Sequence, residues 1–278
     1  MAERLFEPRP VVMGHRGFGR HSENGYAENT VASVVAAVEH GLSWIEFDVR
    51  RSRDDQLVVH HNPTTTDGAF VIEQTADEVT ARGIPRLTEL LDALPPEVGV
   101  NVDVKTELED AVTEPDGRTG GLLAAVLAKE TARRRVLATS FDPALLLDLR
   151  ERAPDMPLGL ITWADFPLRH AVPAAVHLGM RMVSLHHGSF GPNRIERGPV
   201  HRPPAYSVDI AHRAGIEVLA WCPDVPSAVE LARSGVDALC VNDVPGVLDV
   251  LRGTPWRDAP HAAPGRRAPS RGSPDGAG

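Results

Sequence analysis

The chain reads as a single α/β domain of the TIM-barrel, or (β/α)8, class. Three observations predict it. Short apolar, strand-like runs alternate with helical stretches along nearly all of the 278 residues, and such alternation implies parallel strands joined by right-handed crossovers. The runs make eight such units, the number at which a parallel sheet closes on itself. The length and the 42% apolar composition suit one large core, of the size of a typical barrel of about 250 residues. An open, doubly wound sheet is the alternative. It fits less well, because no Gly-rich phosphate loop follows the first strand.

The first strand spans 11–14. A helix follows over 30–40, with Asn29 or Thr30 as its N-cap and Gly41 just past its end. Strand 44–49 comes next, and a return strand over 57–60 follows the charged turn Arg53-Asp54-Asp55. Helix 87–94 leads to strand 99–105, and helix 120–129 to strand 136–140. Pro143 opens a helix at its first turn, where proline is tolerated, and that helix runs to 152. Strand 158–162, helix 168–178, strand 182–186, helix 207–214 and strand 217–222 follow. Helix 227–234, ended by Gly235, strand 239–242 and helix 246–251 complete the pattern. With the return strand set aside, eight strands remain. The two long connections, 17–27 and 188–206, would both sit at the catalytic mouth of a barrel. Residues 1–252 form the expected barrel. Residues 253–278, dense in Pro, Gly, Ala and Arg, have little to bury and read as a disordered tail.

Composition narrows the function. Aromatic residues make up only 5% of the chain, so the core must be aliphatic. A formal net charge of -9 and the lack of a long Lys/Arg run argue against a nucleic-acid surface. Arg133-Arg134-Arg135 reads as a solvated helix end. Cys222 and Cys240 both fall in apolar, strand-like segments and read as buried, inert thiols, not a disulfide framework. The N-terminal residues are charged and carry no apolar leader core. No run approaches the roughly 18 apolar residues of a membrane span. A cytoplasmic protein without an integral membrane part is expected, with its oligomeric state open.

The chemistry gathers at strand ends. Val11-Val12-Met13-Gly14 runs into His15-Arg16-Gly17, Trp44–Val49 carries Glu46 and Asp48, and 100–105 carries Asp103 and Lys105. Side chains at i and i+2 of a strand share a face. Glu46 with Asp48, and Asp103 with Lys105, therefore aim together into whatever that face covers. Buried charges are costly unless paired or bound to metal. The pattern points to a site with three carboxylates, a cationic pair and at least one histidine, at the C-terminal rim where barrel enzymes keep their functional groups.

The motifs His15-Arg16-Gly17, Glu28-Asn29-Thr30, Ile45-Glu46-Phe47-Asp48-Val49, Val58-Val59-His60-His61-Asn62-Pro63-Thr64 and Val102-Asp103-Val104-Lys105 occur in the order seen in glycerophosphodiester phosphodiesterases. Ser140-Phe141-Asp142-Pro143, Val183-Ser184-Leu185-His186-His187, Val218-Leu219-Ala220-Trp221 and Asn242-Asp243-Val244-Pro245 resemble the later strand ends of that family. The resemblance spans roughly 11–251. It implies a TIM barrel that hydrolyses glycerophosphodiesters to glycerol 3-phosphate and an alcohol, using one divalent cation, Mg²⁺ or Ca²⁺. By the same resemblance Glu46, Asp48 and Asp103 match the metal ligands, and His15 and His61 the catalytic histidines. Arg16 and Lys105 match the phosphate-binding cations, and Trp221 an aromatic near the alcohol portion. The chemistry agrees: hard cations take carboxylate oxygens, and the phosphoryl oxygens need positive neighbours. A departing alkoxide needs a proton, which histidine can supply. His61 is read as general acid, and His15 as general base or nucleophile. His60, opposite in alternation, reads as a packing or solvent residue.

The chain departs from the family pattern at four places. Asn62 stands where Asp is usual, Asp103 where Glu is usual and Ala27 where Pro is common. Cys222-Pro223-Asp224 replaces a more usual Thr-Val-Asn-like run. Two other functions compete. One is a phospholipase of the sphingomyelinase D type, which the Asp103-x-Lys105 spacing resembles. The other is a non-catalytic phosphodiester-binding protein.

Overall fold

The computed structural model describes residues 4–20, 25–192 and 201–253. Among the described residues there are nine strands: β1 (Val11–Gly14), β2 (Trp44–Arg51), β3 (Leu57–Val59), β4 (Gly99–Val104), β5 (Val136–Ser140), β6 (Leu158–Ile161), β7 (Met182–His186), β8 (Glu217–Trp221) and β9 (Ala238–Val241). Eight of them run parallel in the order β1-β2-β4-β5-β6-β7-β8-β9. The ring closes where β1 pairs with β9, Val11 opposite Ala238 and Gly14 opposite Val241. β3 alone is antiparallel; it turns back along the far end of β2, with Val49 opposite Val59 and Arg51 opposite Leu57. The architecture is the closed barrel that the alternation predicts.

Two-residue alternation divides each strand between two cores. Ile45, Phe47, Val49, Val100, Val102, Val183, Val218 and Leu239 point outward and pack under the surrounding helices. Val11, Met13, Trp44, Leu137, Met182, Leu219 and Cys240 point inward and fill the barrel's lower half, plugged by Phe6 from the N-terminal segment. The next inward positions toward the C-terminal rim are no longer apolar. After Met13 comes His15, after Trp44 come Glu46, Asp48 and Arg50, and after Asn101 come Asp103 and Lys105. One periodicity thus builds the floor and the functional rim.

The helices are α1 (Val31–Glu39), α2 (Ala76–Thr80), α3 (Leu87–Asp92), α4 (Thr119–Glu130), α5 (Pro143–Arg152), α6 (Leu168–His177), α7 (Pro204–Arg213), α8 (Val225–Arg233) and α9 (Val244–Arg252). Thr30, not Asn29, caps α1. Asp142, Asp224 and Asp243 cap α5, α8 and α9 by accepting from Ala144, Ser227 and Gly246 N–H. These rim aspartates are therefore helix starts, with proline in the first turn of each helix. α2 escapes the pattern reading because it is only five residues long; its capping box, Thr75 with Glu78, is the one local signal of it.

Two readings need correction. The middle of the Arg133–Arg135 run is buried. Arg134 is 7% exposed, pairs with Glu130 at 2.7 Å and donates to Leu91 and Leu94 carbonyls at 2.9 and 3.2 Å. It adds a donor to the Leu91 carbonyl in the last turn of α3 and to the Leu94 carbonyl just past it, where a helix end leaves carbonyls short of intrahelical donors. Cys222 is not in a strand; β8 ends at Trp221, and Cys222 adopts a left-handed φ of 53°. The segment read as a tail lies, from residue 254 on, outside the described residues, as do 21–24 and 193–200 of the two long connections. Among the described residues no helix is long and apolar enough to cross a membrane.

Candidate active site at the barrel mouth

All eight residues singled out above line one cavity of about 770 Å³ at the C-terminal rim. The turn after β1 delivers His15 and Arg16. A Cβ on Gly14 would lie 1.8 Å from the Gly17 carbonyl oxygen, and one on Gly17 would lie 2.4 Å from Ser33 Oγ, so this turn closes only over glycine. Arg16 sits at φ 57°. Its N–H donates to Glu46 Oε2 at 2.8 Å, its NH1 to Glu28 at 2.7 Å, and its Nε lies 3.3 Å from Asp48 Oδ2. Glu28-Asn29-Thr30 is a working unit. Glu28 holds Arg16, Asn29 Nδ2 donates to Asp48 Oδ2 at 2.9 Å while its Oδ1 accepts from Asp48 N–H, and Thr30 starts α1.

Glu46, Asp48 and Asp103 each offer an oxygen within 4.8 Å of the others, all buried. Lys105 Nζ covers one side of the cluster, 2.9 Å from Asp48 Oδ1 and hydrogen-bonded to Asp103 Oδ2. Asp103 Oδ1 is buried without a donor. Burial and the negative charge of Asp48 push Glu46 well above the usual carboxylate range. Burial likewise raises Asp103 to about 6, although Lys105 opposes it. Asp48 is held well below the usual range; burial acts against this, but Lys105 and Arg16 outweigh it. Three buried carboxylates, two of which resist ionisation, with an orphaned oxygen on one of those two, are what a hard divalent cation would satisfy. The donor set fits such an ion.

The histidines are held alike. His15 Nδ1 lies 2.7 Å from Asn242 Oδ1, beyond the end of β9, and His61 Nδ1 lies 2.9 Å from Asn62 Oδ1. A carbonyl oxygen only accepts, so each ring donates from Nδ1 and keeps Nε2 for other work. His60 turns away and bonds the Thr64 carbonyl at 3.0 Å. Burial, reinforced by Arg16 and Lys105, lowers the pKa of His61 below its ordinary 6.5.

Trp221 belongs to an aromatic wall. Its ring lies 6.3 Å edge-on from Phe141 and 4.4 Å from His186, and Phe141 packs 4.4 Å from Trp163. Pattern reading missed four participants. Trp163 and Phe141 look like ordinary strand-end aromatics. Asn242 stands in a family-like motif, but nothing in the sequence ties its amide to His15. Cys222, whose Sγ lies 3.5 Å from His15 Nδ1, leaves the strand alternation at its left-handed φ.

Comparison with known proteins shows the family and agrees with the fold. The profile of the glycerophosphoryl diester phosphodiesterase family matches residues 15–245. A glycerophosphodiester phosphodiesterase of Caldanaerobacter subterraneus is 26% identical over 265 residues, covering 88% of this chain and 98% of that protein. The human glycerophosphocholine phosphodiesterase GPCPD1 is 25% identical over 57% of this chain and 32% of its own length. The fold resembles that of a glycerophosphodiester phosphodiesterase from Parabacteroides distasonis, with a TM-score of 0.70, 19% identity, and 87% and 97% of the two chains covered. It also resembles an Oleispira antarctica phosphodiesterase solved with sn-glycerol-3-phosphate, with a TM-score of 0.67, 22% identity and the same coverage. The family profile spans the histidine turn, the carboxylate strands and the closing strand, and the chain belongs to the glycerophosphoryl diester phosphodiesterase family.

Proposed function

We propose that this chain hydrolyses glycerophosphodiesters to glycerol 3-phosphate and an alcohol, with one divalent cation, Mg²⁺ or Ca²⁺, on Glu46, Asp48 and Asp103. The observation that carries the reading is the convergence on one cavity of three mutually close carboxylates, two cations and two amide-held histidines. Such a cation, when bound, polarises the phosphoryl oxygens and helps neutralise their charge. Arg16 and Lys105 bind the same anion; each is already fixed on carboxylates, so little reorganisation is needed when the phosphate arrives. His61, as imidazolium, gives its Nε2 proton to the departing alcohol oxygen as the P–O bond breaks, while its Nδ1–H stays on Asn62. His15, through Nε2, either takes a proton from the attacking water or bonds phosphorus itself. The aromatic wall of Trp221, Phe141 and Trp163 receives the alcohol portion. Two free cysteines suit a reducing, cytoplasmic setting.

The test is release of glycerol 3-phosphate from glycerophosphocholine by the purified protein, with and without chelator. Turnover that stops in chelator and returns with Mg²⁺ or Ca²⁺ is expected. Turnover indifferent to chelator would remove the cation from the reading. Binding without turnover under every metal would leave a phosphodiester-binding protein, and a cyclic phosphate from lysophospholipid would mark the sphingomyelinase D-type reaction.

A further inference from the structure

Glu46 and Asp48 are followed on the same face of β2 by Arg50, which the metal and phosphate chemistry leaves without a task. Arg50 is 8% exposed and lines the cavity. Its Nε donates to the His61 backbone carbonyl at 2.9 Å, and its NH1 pairs with Glu107 Oε1 at 2.7 Å. Glu107, also 8% exposed, lies in the connection two residues past Lys105. On the other side of His61, His60 N–H donates to the Asp48 carbonyl at 3.0 Å. The segment carrying His61 is thus fastened to β2 immediately before and at that residue, once by backbone and once by Arg50.

We propose that Arg50, anchored on Glu107, is the positioning residue for His61. The inference rests on the reading of His61 as general acid. The guanidinium offers donors in a rigid plane that reach two acceptors in different directions. Lysine carries one ammonium at the end of a flexible stem and cannot span the His61 carbonyl and Glu107 in the same way. Without the anchor, the His61 peptide loses its own tie to β2 and keeps the one through His60, and the imidazole loses its fixed distance to the leaving oxygen. Misplacement of a reacting group by about 1 Å is enough to cost roughly 100-fold in rate.

The test compares two leaving groups on the metal-loaded enzyme. From glycerophosphocholine, choline departs as an alkoxide that needs a proton. From the p-nitrophenyl ester of glycerol 3-phosphate, p-nitrophenol departs as a stabilised phenoxide that does not. Arg50→Lys is expected to lower kcat on glycerophosphocholine by about 10- to 100-fold, with KM little changed, and to leave the p-nitrophenyl ester within about threefold of wild type. Glu107→Gln should show the same leaving-group dependence more weakly. In a His61→Ala background, Arg50→Lys should add almost nothing, as expected of residues acting as one unit. Equal losses on both substrates, or none on either, would overturn the positioning role, and because the ratio is internal to one folded sample it is immune to partial unfolding. If His61→Ala itself loses both substrates equally, the acid reading fails and this inference with it. If His61→Ala discriminates and Arg50→Lys does not, only this inference fails.

Discussion

His15 Nδ1 and Asn242 Oδ1 meet at 2.7 Å although 227 residues separate them in the chain. The hydrogen bond joins the ends of the first and last strands, at the seam where the barrel closes. It also decides which ring nitrogen of His15 carries a proton. Replacing Asn242 with leucine should lower kcat by about 10- to 100-fold, the usual cost of removing a partner that orients a working histidine, with KM nearly unchanged. Steady-state kinetics checks the split, and nitrogen NMR of the imidazole should show the proton leaving Nδ1. An unchanged kcat would remove Asn242 from the machinery.

His61 and Asn62 give a pH prediction. Burial, with Arg16 and Lys105, places the His61 pKa below 6.5. The acid works as imidazolium, so kcat/KM must fall as pH rises through that pKa, and the descending limb begins below 6.5. Asn62→Asp puts a carboxylate on Nδ1, favours the imidazolium and moves that limb to higher pH. A pH profile at saturating metal measures it; a limb that stays put or moves down contradicts the acid assignment.

The carboxylate cluster links metal, proton and stability. Asp103 has its pKa raised from 3.8 to about 6 in the folded, metal-free protein. Its protonated form therefore contributes stability that is fully present below 3.8 and lost as pH rises through about 6. A divalent cation competes with those protons. The rise in Tm on adding Mg²⁺ or Ca²⁺ should accordingly be small in acid and grow as pH passes about 6. Glu46→Gln removes one of the repelling acids, so the metal-free Tm should rise or hold while the cation-induced increment shrinks. Equal increments on both sides of that pH would contradict the link.

Arg134→Ala tests the fold away from the site. It strips Glu130, which is 8% exposed, of a partner, takes the guanidinium donor from the Leu94 carbonyl and leaves the Leu91 carbonyl with backbone N–H alone. Breaking one side of a buried pair costs about 3 kcal/mol or more. Denaturant unfolding should show that loss, with kcat per folded molecule unchanged.

That arginine also shows where sequence reading stops. Period-two alternation made the eight strands legible, along with the inward aim of Glu46, Asp48, Asp103 and Lys105, because parallel strands repeat one geometry. It could not tell a buried arginine from solvated ones inside Arg133-Arg134-Arg135, since only the neighbouring carbonyls of α3 decide that. Cys222 was hidden by a single left-handed residue, which breaks the alternation. Asn29 and Asn242 stood in legible motifs, but their hold on Asp48 and His15 was not, because an uncharged amide does not name its partners until they are in place. Arg50 completes an i, i+2, i+4 series that was legible in principle, but arginine at a strand end reads as surface.

The antiparallel strand β3 gives the site a divided origin. His15, Arg16, the three carboxylates and Lys105 come from the ends of ring strands, whose placement is tied to closure of the whole barrel. His61 comes from a hairpin laid outside that ring and fastened to it through β2. On the proposed reading the proton donor is therefore a cassette: the stretch between Arg51 and Leu87 could be exchanged for another of different length or reach while the proposed anion- and metal-binding face stayed intact. Changing how the departing alcohol is protonated then becomes a matter of grafting one hairpin onto a barrel whose aromatic wall still receives it.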